Sequence, residues 1–309
     1  MGITVDPKTG FSPELKARVE AEIARGKAFE PMALEEHEDD LDWLTKGAGI
    51  DLKHLFENKP PDLDFVWPGF LAGTVGMLSG PGAVGKSLLA LQIAIDVSCG
   101  SNLAGLRSVA GQAGRVLLLN AEDPEDEICR RLYSAGQLLS ESERVLSDEN
   151  LEIRSLCDLN VNIMNAHWRD WVEDEAQGAR LVIIDTLREF HSLDEMQHKE
   201  MTILMRYFRS FCVRCKTTVL ILHRNRFNQA WPLESYPRLH MSLSTPSLTK
   251  AAERGIKAGE HTGYVILSSE GRDLDSDSEK WYRRGEGGLL RQMDFEKSKA
   301  RSSKWRGRA

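Results

Sequence analysis

The stretch SGPGAVGKSLLALQIA, residues 79–94, holds Gly80, Gly85, Lys86 and Ser87 in the spacing G-x-x-x-x-G-K-S. Glycines at those two positions let the backbone close around a phosphate, and the segment from Gly80 through Pro81, Gly82, Ala83 and Val84 to Gly85 becomes a cradle of N–H donors. Lys86 is expected at the β- and γ-phosphates and the Ser87 hydroxyl on Mg2+. Leu88 lies in the first turn of a helix whose positive dipole end faces the same anion. The alternative is a glycine-rich turn that only precedes a helix.

Three further candidates end apolar runs. LVIIDT finishes with Asp185, a carboxylate that can meet Mg2+ across from the glycine-rich turn. VLLLNAEDP carries Glu122 and Asp123 just past its apolar run. If both runs are strands of one parallel sheet, their ends open on one rim, so Glu122 can hold an attacking water while Asp185 holds the metal. The alternative for Glu122 is a cap on the helix begun in EDPED. TTVLILHRNR sets His223 at a third strand end, to sense a γ-phosphate or to serve as a neutral structural histidine.

These positions need a frame, and the pattern supplies one. Apolar TVGML, RVLLL, LVIID and TVLIL alternate with the helical periods SLLALQIAIDVS, DEICRRLYSAGQLL and MTILMRYFRSFCVR. Short apolar strands separated by helices predict an α/β fold with a largely parallel, twisted sheet and helices on both faces. Ahead of it, residues 1–58 read as an acidic helical arm, with Ser12 as N-cap and Pro13 at the first helical position. The core is expected over 59–295. Residues 296–309 form a basic tail with Lys297, Lys299, Arg301, Lys304, Arg306 and Arg308, either solvated or touching nucleic acid.

The chain has 309 residues, 41% hydrophobic and 28% charged, enough for one or two domains with a full core. No run nears the roughly 18 apolar residues of a membrane span, and the N-terminus lacks a secretory apolar region, so a cytoplasmic protein without a membrane partner is expected. Asp6 stands where a myristoylation signal has Ser or Thr. The net charge of −7 confines any nucleic-acid contact to a local patch or channel. The five cysteines are odd in number and scattered, which fits a reducing compartment. Cys212 and Cys215 have no second ligand pair and read as two thiols on a helix face, with a structural zinc site as the alternative.

Taken together, GTVGMLSGPGAVGKSLLALQIA, AEDP with RRL, LVIIDTLREFH, LILH and WYRRGEGGLLR resemble the RepA-type hexameric replicative helicases of broad-host-range plasmids, within the RecA-like ATPase superfamily. The resemblance spans roughly residues 50–293. It implies a RecA-like P-loop ATPase core, a homo-oligomeric ring of six, ATP with Mg2+ bound between neighbours, and single-stranded DNA in the central channel. It assigns Lys86 and Ser87 to phosphate and Mg2+, Glu122 to the water-activating base, Asp185 to Mg2+ and His223 to γ-phosphate sensing. Arg131 matches a position near the phosphates, and Arg238 and Arg272 match arginines that reach a neighbour's site. For all three arginines an exposed surface residue is the alternative.

Three departures stand out. Arg224 follows His223 where the family has two histidines. The connection RNRFNQAWPLESYP, residues 224–237, is shorter than its counterpart and lacks a small-residue segment, in a region that carries a DNA-contacting loop. Arg224 and Arg226 are the expected DNA-contacting cations there. Glu270 falls where the family has a lysine directed at the nucleotide. These departures and the acidic charge leave a second function open, a non-motor P-loop ATPase acting as a regulatory or recombination-mediator protein. An ABC signature is absent, and NKPPD precedes the P-loop, unlike a guanine motif.

Overall fold

The computed structural model describes residues 50–106, 113–157, 159–224, 237–274 and 278–295. The chain divides into two units, Met1–Asp64 and Phe65–Ala309. The described part of the first holds one short helix, α1 (Leu52–Glu57), capped by Asp51, whose carboxylate accepts the His54 N–H. Most of the expected N-terminal arm, the basic tail and Arg226 lie outside the described residues.

The second unit begins with a small ribbon of β1 (Phe65–Trp67) and β2 (Phe70–Leu71), then runs β3 (Val75–Gly80), α2 (Lys86–Cys99), β4 (Val116–Asn120), α3 (Glu125–Gly136), α4 (Glu141–Asn150) and β5 (Leu151–Ser155). It continues through α5 (Ala166–Ala176), β6 (Leu181–Asp185), a 3-10 turn (Leu187–Phe190), α6 (His198–Cys215), β7 (Val219–Arg224) and β8 (Leu239–Ser244). The remainder is α7 (Leu248–Glu253), a 3-10 turn (His261–Gly263), β9 (Tyr264–Gly271), β10 (Ser278–Arg284), a 3-10 turn (Glu286–Gly288) and β11 (Leu290–Met293). Nine strands form one sheet in the order β11-β10-β9-β8-β3-β7-β6-β4-β5. Every neighbour pair from β8 to β5 is parallel, and β9, β10 and β11 add on antiparallel at the β8 edge.

The expected α/β class is what forms, with a mostly parallel sheet and helices on both faces. Strands β3, β4 and β6 are buried at every position, so they read as continuous apolar runs rather than as alternation. Leu78, Leu118, Ile183 and Leu222 join the cluster that packs on α2. The alternate residues Met77, Leu117, Leu119, Ile184 and Ile221 face the other way and are equally buried. Both faces of the sheet are therefore covered. Helix α6 contacts β3 and buries Met201, Leu204, Met205, Phe208 and Phe211. Cys212 and Cys215 are two buried thiols on that helix, pushed up by burial to about 12 and about 11. No helix among the described residues is long and apolar enough to cross a membrane.

The sheet order decides what meets at its C-terminal rim. Strand β7, ending in His223 and Arg224, lies between the P-loop strand β3 and β6, which ends in Asp185; β4 follows. The antiparallel strands fold back over α2. Gln92 donates to the Leu290 carbonyl at 2.9 Å and accepts the Leu290 N–H at 2.8 Å, so one helix side chain acts as a rung for β11. The Tyr282 hydroxyl donates to the Ala104 carbonyl at 2.8 Å.

Candidate active site

The turn from β3 into α2 is shaped by what it lacks. A Cβ on Gly80 would lie 2.4 Å from the Leu243 carbonyl oxygen, so the close approach of β8 requires glycine. Gly85, the N-cap of α2, is left-handed at φ 109 and gives the helix no side-chain cap, so the first N–H groups of α2 stay open to an anion. Ala83 also has a left-handed backbone, φ 59, a conformation that costs about 1 kcal/mol or more for a residue with a Cβ. Arg284 braces it, donating to the carbonyls of Ala83 at 3.1 Å and Val84 at 2.7 Å. Val84 is buried, Pro81, Ser87 and Leu88 are half-buried, and Gly82 and Ala83 are exposed.

Lys86 is buried to 7% exposure and donates to the carbonyls of Gly80 at 3.1 Å and Pro81 at 2.9 Å. Burial lowers its pKa, the carboxylates of Glu122 and Asp185 oppose that shift, and the Arg224 guanidinium adds to it. An ammonium held over carbonyls it can leave is ready to exchange them for phosphate oxygens.

Asp185 is 1% exposed at the end of β6. Its Oδ2 accepts from Asn120 Nδ2 at 3.4 Å, while its Oδ1 is buried without a hydrogen-bond partner. Burial raises its pKa to about 7, against the pull of the neighbouring Ser87 hydroxyl and of Lys86, with Glu122 and Asp123 adding to the rise. A desolvated carboxylate oxygen without a donor, next to a hydroxyl, fits a small hard cation such as Mg2+.

Asn120 is the cross-strand partner of Asp185, and its Oδ1 accepts the Asp123 N–H at 3.0 Å. One buried amide therefore ties the β6 carboxylate to the turn bearing Glu122. The two acids of that turn differ sharply. Asp123 is held by Arg131 at 2.5 Å, and Arg131 also pairs with Glu127. Glu122 is exposed, and its carboxylate forms no hydrogen bond or ion pair among the described residues. Arg131, expected near the phosphates, thus has its guanidinium committed to two carboxylates.

His223 is buried at the end of β7, with Nε2 3.5 Å from Glu195 Oε2. Glu195 lies in the connection after β6 and also stands 3.7 Å from His191 Nε2. Burial would raise the Glu195 pKa, but His223 and His191 hold it below the ordinary value; burial lowers His191 to about 4. Arg224, next along the strand, lies with its guanidinium over Gly82 of the P-loop.

Arg238 and Arg272 are elsewhere. The Arg238 N–H donates to the Val75 carbonyl at 2.8 Å, at the start of β3, and Arg272 donates its N–H to Arg238 at 3.3 Å. From Val75 to Gly80 is five strand steps, roughly 16 Å, so both arginines sit at the rim opposite their own P-loop. Asp273 grips Arg238 in a bidentate pair at 2.6 and 2.7 Å, whereas Arg272 is exposed. Glu270 faces His240 at 2.9 Å, and His240 Nε2 is 2.8 Å from the Ser79 hydroxyl. Residue 270 is therefore engaged within the sheet.

Sequence patterns missed Asn120, Glu195 and Arg284. Asn120 was visible only as the last residue of VLLLN, and Arg284 sits in WYRRGEGG without a local motif to mark its role; nothing local signals Glu195. Among solved structures, a crystal structure of the RadB recombinase is similar with a TM-score of 0.49 and 13% sequence identity, over 72% of this chain and 92% of that one. The family described as AAA domain matches residues 50–230, more than half of the chain, including the P-loop, Glu122, Asp185 and His223. The chain belongs to the AAA domain family of P-loop ATPases.

Proposed function

We propose that this chain hydrolyses ATP at the β3–α2 turn as one subunit of a hexameric ring, and that the ring moves along single-stranded DNA as a RepA-like replicative helicase. The observation that carries the hydrolytic part is the meeting, at one rim of one sheet, of an anion cradle, a buried carboxylate oxygen without a donor and an exposed unpaired carboxylate. Lys86 and the loop N–H groups hold phosphate oxygens, and Ser87 with Asp185 would hold Mg2+. When bound, that ion neutralises charge on the β- and γ-phosphate oxygens. Glu122 orients a water and takes one of its protons. The water oxygen bonds to the γ-phosphorus, the bond to the β–γ bridging oxygen breaks, and its electron pair leaves with ADP. His223 senses the γ-phosphate, and Glu195 joins it to the loop of residues 191–197.

The ring rests on the sequence resemblance and on the distance of Arg238 and Arg272 from their own P-loop, which leaves a neighbour's site as the one they can complete. The test is the ATPase rate with and without single-stranded DNA, alongside the mass of the assembly and unwinding of a forked duplex. DNA-stimulated turnover, a six-subunit mass and strand separation are expected. Hydrolysis without DNA stimulation or unwinding overturns the motor. It would favour a non-motor ATPase in regulation or recombination, to which the pairing of Glu270 with His240, where the resemblance expects a lysine, lends support.

A further inference from the structure

Arg224 ends β7 as the register partner of Gly80. Leu222 packs in the cluster on the α2 side of the sheet, and strand residues two apart share a face, so Arg224 leaves the strand on the side of the P-loop. His223 leaves on the other side, toward Glu195. One strand end thus delivers two groups to two sides of the same site.

Gly82 supplies an independent observation. It is exposed, and its backbone is not among the left-handed ones, so the main chain does not demand glycine there. A Cβ there would lie 2.5 Å from Arg224 Nη2 and 2.8 Å from both Cζ and Nε, so a side chain at 82 would push the guanidinium aside. The loop omits a side chain where the guanidinium lies flat upon it. The other two cations of the turn are already engaged, Lys86 by the carbonyls of Gly80 and Pro81 and Arg284 by those of Ala83 and Val84. Arg224 has neither a hydrogen bond nor an ion pair among the described residues, and it stands close enough to Lys86 to disfavour the latter's charge. Two neighbouring cations, one of them without a partner, over a loop of open N–H groups make a site that an anion of high charge would relieve.

We propose that Arg224 is a catalytic residue acting in cis, a cation for the γ-phosphoryl group of ATP bound at the P-loop of its own chain. The proposal rests on the ATPase function given above. The guanidinium binds the equatorial oxygens as charge spreads over them, forming and breaking no covalent bond.

The experiment compares wild type, Arg224→Ala, Arg224→Lys and Gly82→Ala for ATP turnover and for affinity toward ADP, ADP with aluminium fluoride, and single-stranded DNA. For Arg224→Ala, turnover and affinity for the fluoride complex should fall by about 10²-fold or more, as for other cations on a transferring phosphoryl group. ADP affinity should stay within about twofold, and DNA affinity without nucleotide should not change. Lys at 224 should recover part of the loss. Gly82→Ala should slow turnover through displacement of the guanidinium, and the double variant should be no slower than Arg224→Ala alone. Arg224→Ala mixed with Glu122→Gln should regain nothing, because both faults fall in the same subunit's site. Recovery on mixing overturns the cis assignment. Loss of DNA affinity with fluoride-complex affinity intact also overturns it and makes Arg224 a DNA contact, and a wild-type rate in an ATP-hydrolysing background overturns it outright. Wild-type protein that binds neither ADP nor the fluoride complex removes the ATPase function, and Arg224's role with it.

Discussion

Glu122 and Asp123 are adjacent acids with opposite surroundings, and the proposed hydrolysis takes Glu122 as its base on that difference. Asp123 gives its carboxylate to Arg131 and its N–H to Asn120, which makes it a fixed post of the turn. Glu122 is exposed and uncommitted at the rim shared with Asp185. Glu122→Gln should leave ATP binding intact and reduce hydrolysis by about 10²-fold or more, since the amide cannot accept the proton. Asp123→Asn should loosen Arg131 and alter turnover far less. The reverse order of damage, read from steady-state rates of the two variants, would assign the base one position later. Asp185 offers a thermodynamic test. Its folded pKa of about 7 lies above the ordinary 3.8, so between those values the folded chain keeps a proton that the unfolded chain has released. This group's share of stability is full below about pH 4 and lost as pH rises toward 7. Asp185→Asn removes that loss. The unliganded variant should melt near the wild type at pH 4 and increasingly above it as pH rises to 8, while its Mg2+-dependent hydrolysis disappears. A variant that melts below wild type at pH 8 would contradict a donorless buried Oδ1.

At the scale of elements, the P-loop is fixed from behind by strands far along the chain. Gln92 of α2 satisfies both the N–H and the carbonyl of Leu290, and Arg284 holds two loop carbonyls from the end of β10. Gln92→Ala leaves a buried peptide group without partners on either side, which costs about 2–4 kcal/mol. Urea unfolding should show that loss, and turnover of the still-folded fraction should fall as β11 and Arg284 loosen; an unchanged midpoint would mean water replaces the amide. Such contacts are illegible in the sequence because they join positions 198 residues apart. The P-loop, Asp185 and His223 were legible because each ends an apolar run or obeys a local glycine spacing. Strand β5 was not: LEIRS is half-buried throughout and lies at the sheet edge, so it lacks the continuous apolar run of its neighbours. The helical period expected to run through Leu139 ends at Gly136, and Ser140 opens α4 with a capping box. Arg224 was expected on DNA because its neighbours in sequence suggested it; only the pairing of β7 with β3 brings it onto the loop.

At the scale of the whole molecule, the sheet separates two kinds of residue by its own length. The phosphate cradle, Glu122 and Asp185 occupy the C-terminal rim, whereas Arg238 and Arg272 lie at the opposite one, beside Val75 and roughly 16 Å away along β3. An arginine side chain does not span that gap, so if either arginine serves hydrolysis it serves a neighbour. Asp273 holds Arg238 in a bidentate pair, and Arg272 is exposed, so Arg272 needs no ion pair broken before it extends. Arg272→Ala subunits should bind ATP through an intact P-loop and turn over slowly, since the transition-state charge loses its external cation. Glu122→Gln subunits should be equally slow through a fault in their own site. Mixed in equal amounts, the two should regain activity, because about a quarter of random interfaces pair an intact glutamate with an intact arginine. The same mixture made with Arg238→Ala tests the other arginine, whose release from Asp273 would come first. Co-assembled mixtures that stay inactive in both cases would exclude a trans role for either arginine, whereas wild-type rates for Arg272→Ala and Arg238→Ala on their own would leave both as surface residues and make Arg224 the cation on which turnover depends. Recovery with Arg272→Ala but not with Arg224→Ala would instead give each active site one arginine from its own chain and one from the next, which requires a ring or a filament.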